Sequence, residues 1–381
     1  MIVFTKDINP NKLRMAYNND VIRFYSDSTA TALSCDVTIG SSLTLTLYPD
    51  PAGQFFFNFM AYVQALINTR NFEDTVQTAI TGSSPAAFLY DVTAGTYLDS
   101  DVTLGITLDG STDPDTVTHN LAWLAGVQQW GDSGDYTVND LLLLLPLQEG
   151  SANSYYAKYW QGYPFDLGFY SRNNSMSLTN ETNLLSLAIN APGYCTRLFL
   201  SDGRTNETLE DLLPLTQGHN LLRLQAQGDG AGTGKFISLE KMPYKTGVYL
   251  KWLNAMGGYS YWLFEDTYAI DRSTKDLGGI DRDNANLEDS FGRTAQIGRQ
   301  SQDTLKIVAE LLTENERTLV QGLLDSPKIY LFTGQPFARN GSRDWIEVGL
   351  KTTSARIKNP REALTNFTFD IELPVRYSQT L

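Results

Sequence analysis

Hydrophobic and polar positions alternate most regularly between Leu305 and Leu373. Leu305-Lys306-Ile307-Val308-Ala309 reads as a strand. Thr313 follows, with Glu316 three residues later, the spacing of a capping box in which the carboxylate bonds back to the cap's own N–H. Leu319, Val320, Leu323 and Leu324 then recur on one face of a helix with a period of about 3.6 residues, and Pro327 stops it. Lys328 to Phe332, Trp345 to Leu350, and the alternating Phe367, Phe369, Ile371 and Leu373 complete a set of strands around one helix over 313–325. Nothing in this module carries reactive chemistry; its pattern is that of a scaffold.

Upstream, short strands are separated by turn residues, the rhythm of β-sandwiches. Val21 to Tyr25 is one. Leu43, Leu45 and Leu47 alternate with threonines in the next, and the turn Tyr48 to Gly53 leads into Gln54 to Phe59. Val102 to Leu108 ends at Asp109-Gly110. Beyond the leucine run 141–145, closed by Pro146, come Tyr155 to Trp160, Leu167 to Tyr170, Arg197 to Leu200, Leu221 to Leu224 and Phe236 to Leu239. Gly228 to Gly234 reads as a loop or hinge. Val248 to Leu253 and Tyr259 to Phe264 form a hairpin around Gly257-Gly258, with large side chains on both faces, so both faces are expected to be covered. The polar stretch 266–289 reads as a long loop that reaches a neighbouring subunit or stays mobile when alone. Its acids are interleaved with bases, and Asp271, Arg272, Lys275, Asp281, Arg282 and Asp283 are the candidate contact residues.

The expected fold is mainly β: two or more β-sandwich domains plus a C-terminal split barrel or sandwich with one helix. At 381 residues the chain exceeds a single ordinary core. Charge suggests where to divide it. Residues 1–240 carry 11 basic and 25 acidic side chains, a net of −14, whereas 241–381 carry 18 of each. The expected spans are therefore 1–145, 146–240 and 241–381. The acidic part would repel phosphate, which argues against specific nucleic-acid binding. Cys35 and Cys195 are too few for a disulfide framework or a tetrahedral zinc site and are expected as buried thiols. The first residues lack the basic and apolar regions of a signal peptide, and the leucine run is far shorter than the roughly 20 residues of a membrane span. A soluble protein made in a cytoplasm is the expectation.

Several motifs invite chemistry and then fail its requirements. Gly131-Asp132-Ser133-Gly134 matches a serine-protease nucleophile loop, but His119, the only histidine before it, has no protease-like context. Gly228 to Lys235 resembles a phosphate-binding loop, yet Asp229 stands where glycine is required and Phe236 where Ser or Thr is. Asp109, Asp113 and Asp115, and separately Asp281, Asp283, Asn286 and Glu288, offer oxygens for calcium without the spacing of a calcium loop. His119 and His219 show no acid–base partner. No enzyme, cofactor or metal is expected. Tyr155, Tyr156, Tyr159 and Trp160 open an aromatic cluster that fits either a packed core or a sugar-stacking surface.

The sequence resembles structural tail proteins of tailed bacteriophages, especially those infecting Bacteroidetes. The residues that carry the likeness are Gly247 to Asn254, Gly258 to Phe264, the block Leu311 to Phe332, the closing Asn366 to Leu373, and Tyr48 to Gly53 with Phe55, Phe56 and Phe57. The resemblance implies a distal-tail-like or tail-hub virion protein, a homo-oligomeric ring around the DNA channel that also contacts other tail proteins. It would assemble in the host cytoplasm, with DNA passing unbound. The alternative is a glycan- or receptor-binding sandwich module of the virion.

Overall fold

The computed structural model describes the chain except residues 7, 77–79, 130–133, 149, 205–207, 228–233, 266–267, 282–293, 339, 358–363 and 380–381, and the Ser342 side chain. The architecture is mainly β, as expected, with several packed sheets. In the N-terminal sandwich a five-stranded sheet runs in the order Leu13–Met15, Asp115–Leu124, Tyr97–Leu108, Ala32–Ile39, Leu43–Leu47. A three-stranded sheet, Ile2–Lys6, Val21–Ser26, Gln54–Asn58, shares its core. Alternation does the sorting: Cys35, Val37 and Ile39 turn inward from one strand, Phe24 and Phe55 from two others, the last two rings stacked 5.4 Å apart. Helix α1 (Met60–Ile67) closes this core with Val63 and Ile67, its first turn started by Asn58, whose side chain accepts the Met60 N–H at 3.1 Å.

Three further sheets share one core. A four-stranded sheet orders Leu142–Leu143, Pro164–Tyr170, Cys195–Asp202, Leu89–Asp91. A five-stranded sheet orders Ser154–Trp160, Lys235–Met242, Gly218–Ala226, Ser175–Asn180, Leu185–Asn190, its first pair parallel. A seven-stranded sheet orders Tyr259–Glu265, Gly247–Leu253, Ile329–Phe332, Trp345–Leu350, Thr365–Glu372, Arg299–Leu312, Tyr268–Asp276. Buried side chains from Ile80 to Ile371 form a single cluster across all three. A division at residue 240 therefore runs through a core instead of between two. Trp160 meets Trp262 edge-on at 5.2 Å, and the Tyr249 hydroxyl donates to the Pro164 carbonyl at 2.9 Å. The step in net charge at 240 describes the surface and carries no information about burial.

A third cluster joins the two units: Leu13, Met15, Tyr97 and Leu124 of the sandwich meet Leu142, Leu144, Tyr170 and Cys195, with Met256 from the 247–265 hairpin. The turn of that hairpin fits the junction because Gly257 and Gly258 bring no side chain to its closest approaches. A Cβ on Gly257 would strike the Ala125 carbonyl and one on Gly258 the Leu144 carbonyl. Asn254 fastens the turn, donating to the Leu144 carbonyl at 2.9 Å. Cys35 and Cys195 are free and buried, and burial pushes both thiols up, Cys35 to about 12.

Helix α2 (Glu314–Gln321) forms where the capping spacing placed it. The Glu316 carboxylate accepts the Thr313 N–H and hydroxyl, each at 2.9 Å, and pairs with Lys158 of the five-stranded sheet. The helix is shorter than the expected 313–325. Leu323, fully buried, follows in turns, its N–H bonding the Val320 carbonyl at 3.1 Å.

Candidate functional site

The stretch expected as a long loop is, where described, a β arm. Tyr268–Asp276 pairs antiparallel with Arg299–Leu312, from Tyr268 opposite Ile307 to Asp276 opposite Arg299. Gly279–Asp281 pairs with Thr294–Gln296 further out, and the Leu277 and Ile297 N–H groups carry the ladder between them. The polar composition that suggested a loop is compensated across the strands. Arg272 forks onto Asp303 at 2.7 and 3.0 Å, Lys306 meets Asp271 at 2.7 Å, and Arg299 meets Asp276 at 2.9 Å. The hydrogen bond from Arg272 holds Asp303 below the usual carboxylate range against desolvation, with Arg376 helping.

Two of the candidate contact charges, Asp271 and Arg272, are thus used inside the arm. Lys275 lies opposite Gln300 and Asp281 opposite Thr294; Arg282 and Asp283 lie outside the described residues. The arm also leaves apolar side chains uncovered. Every residue of Tyr268–Asp276 is exposed, with Tyr268 and Ile270 at 50% and 57%. Both stand directly across from the buried Ile307 and Leu305, so they continue a core face past its last covered strand. Leu277 and Ile280 are exposed nearer the tip.

The aromatic cluster belongs to the core. Tyr155, Tyr156, Tyr159 and Trp160 are all buried, so they offer no sugar-stacking face. Their strand is covered on both sides: Tyr159 packs on Phe165 and Trp160 on Trp262, while the Tyr156 hydroxyl donates to Glu240 at 2.6 Å. Gly131, Asp132 and Ser133 and residues 228–233 of the two loop motifs lie outside the described residues. Among the described residues no group of three or more His, Cys, Asp or Glu is placed to hold a metal ion.

A buried ionic centre was not foreseen. Arg197 grips Asp166 through Nε and Nη2 at 2.8 and 2.7 Å and reaches Asp74 through Nη1 at 2.8 Å. Lys251 donates to the other Asp74 oxygen at 2.6 Å, and the Tyr261 hydroxyl donates to Asp166. The guanidinium lies over the rings of Tyr259 and Phe199 at 4.6 and 4.9 Å; the ammonium lies 4.4 Å from the Trp345 ring centre. Two acids balance two bases. Burial alone would raise the Asp74 carboxyl, but the charges of Arg197 and Lys251 hold it well below the usual range. Cavities of about 70 and 50 Å³ adjoin the centre. Its donors and acceptors are spent on one another, so it acts as a clamp, tying the segment around Asp74 to two sheets. One signal was available: Lys251 sits in a strand expected to be covered on both faces, and a buried ammonium requires a counter-charge.

No family model matches the chain, and no curated protein matches it. Among solved structures, fibronectin(III)-like modules of Clostridium thermocellum CbhA align over 64% of this chain and 95% of theirs, at 8% identity and a TM-score of 0.19. A protein of unknown function from Porphyromonas gingivalis W83 aligns over 63% and 98%, at 8% identity and a TM-score of 0.16. A bacterial ice-binding adhesin aligns over 81% and 91%, at 9% identity and a TM-score of 0.17. Likenesses at those scores carry no argument. Among the described residues no helix is long and apolar enough to cross a membrane.

Proposed function

We propose that this chain is a structural, non-enzymatic component of a bacteriophage tail that assembles with copies of itself into a ring or hub. The proposal joins the sequence resemblance to one observation, the exposed β arm at the edge of the seven-stranded sheet. A free edge offers backbone groups to another strand, and Tyr268, Ile270, Leu277 and Ile280 offer apolar area beside it. A second copy is the occupant that the charge distribution favours. Residues 1–240 carry a net of −14 and repel one another between copies, whereas residues 241–381 are neutral overall. The arm's acids and bases largely cancel across its own strands. In this reading residues 241–381 form the assembling part, with the acidic N-terminal surface turned away from the contact. Specific nucleic-acid binding has no part in it, and the protein resides in the virion after assembly in the host cytoplasm.

The register supplies the test. Ser273 pairs with Gln302, so residues 274–301 can be replaced by an Asn-Gly turn that keeps the Arg272–Asp303 pair, with Tyr268→Ser and Ile270→Ser removing the apolar area left on the remaining strand. The shortened protein should keep its circular dichroism and melting temperature, lose self-association in light scattering, and fail to enter tails. Unchanged assembly by the shortened protein would place the contact elsewhere and refute the role given to the arm.

A further inference from the structure

The arm changes character along its length. Near its root, strand Tyr268–Asp276 lies on Arg299–Leu312, whose other side is taken by Thr365–Glu372 as far as Thr304. The Leu373 N–H makes the last bond on that side, to the Asp303 carbonyl at 3.1 Å. Further out, residues 273–281 and 294–302 form a ribbon of two strands, with no third strand beside them among the described residues. None of those residues is buried. Leu277 and Ile280, the apolar side chains of its outer strand, are 41% and 52% exposed. Midway, the Leu277 N–H bonds the Gly298 carbonyl and the Ile297 N–H the Gly278 carbonyl, so two glycines interrupt the ladder at one level.

A two-stranded ribbon without a covered apolar face is marginal in water. The ion pair it holds, Arg299 with Asp276, joins side chains 60% and 58% exposed, where solvent screens most of the attraction. Holding the backbone straight costs entropy that such contacts offset poorly. The root differs: Asp303 is buried, and Arg272 and Arg376 fix its carboxylate, Arg376 at 3.0 Å. We propose that the ribbon beyond Asp303 frays in the free chain and orders when it docks on a second copy, so that assembly is coupled to folding. This rests on the assembly reading above and adds the step that regulates it. A frayed ribbon withholds its free edge until a neighbour covers it. The cost of ordering falls on the first contact, so chains stay separate below a threshold concentration.

The test is hydrogen exchange, followed by mass spectrometry, on the full chain below and above its assembly threshold in light scattering. Amides of 274–281 and 294–301 should exchange as unstructured chain does below the threshold, and about a hundredfold or more slower above it. Those of 305–309, between two strands, should be protected in both. A second measurement orders the ribbon in advance. Thr274 and Ser301 stand directly opposite, so Thr274→Cys with Ser301→Cys can be joined by oxidation. The oxidised form should assemble at about a tenfold lower concentration than the same protein reduced. Ribbon amides already protected in the free chain, or equal thresholds for the oxidised and reduced forms, would overturn the inference while leaving the assembly reading intact. Fast exchange in the ribbon with no oligomer at any concentration would refute the assembly reading itself, and the coupling with it.

Discussion

Asp74 is the residue whose removal exposes most of the reasoning about how this fold is held. Replacing it by Asn keeps the shape and removes one charge from a centre where Arg197 and Lys251 are both buried. Arg197 keeps its two bonds to Asp166, but Lys251 is left without the carboxylate it met at 2.6 Å. Removing one partner of a buried pair costs about 3–5 kcal/mol. The rings around the ammonium retain some of the attraction, so we expect a loss of about 3 kcal/mol in urea unfolding at pH 7, followed by tryptophan fluorescence. The pH dependence has a definite sign. Asp74 is held below its unfolded value of about 3.9, so its contribution is fully present well above that pH and disappears as pH falls through it toward the lower folded value. The gap between parent and Asp74→Asn should therefore close as the solution is acidified below roughly pH 5. Adding Lys251→Met to Asp74→Asn should recover about 1–3 kcal/mol, because the centre is again balanced. A gap that stays constant into acid, or a double variant no better than the single one, refutes charge balance as the reason Asp74 is there.

Two further outcomes test other joints of the structure. Thr313→Ala should cost about 1 kcal/mol through the cap of helix α2, and Leu323→Ala about 2–5 kcal/mol through the cavity it leaves, both measured by chemical denaturation; neutrality of both would mean the helix does not pack as described. Because side chains on both sides of residue 240 share one core, protease nicking within 228–234 should leave two fragments that co-elute in gel filtration and separate only in denaturant; fragments that part in native buffer would show two cores.

The sequence revealed elements whose side chains alternate cleanly and whose ends carry a stop. Trp345 to Leu350 is a strand over those same residues, the hairpin 247–265 has both faces buried, and Glu316 returns its bond to Thr313. It hid elements whose pattern is set by distant partners. Asp115–Leu124 begins with Asp115, Thr116, Val117 and Thr118, which look like a loop until Tyr97–Leu108 lies beside them. Helix α1 continues a mostly apolar stretch from Phe55, interrupted only by Asn58 and Gln64, where strand and helix periods cannot be told apart. The arm passed for a loop because its charges find their counterparts only across strands, between residues as far apart as Asp271 and Lys306. The ionic centre draws on Asp74, Asp166, Arg197 and Lys251, which no local window contains.

The proposed self-assembly is tested most directly by the mass of the intact protein in solution, measured by multi-angle light scattering across a range of concentrations and paired with negative-stain electron micrographs. The arm-mediated account expects a discrete multiple of the 42.4 kDa chain that appears as closed rings or hubs. A monomer at every concentration, with no rings in the micrographs, would contradict it.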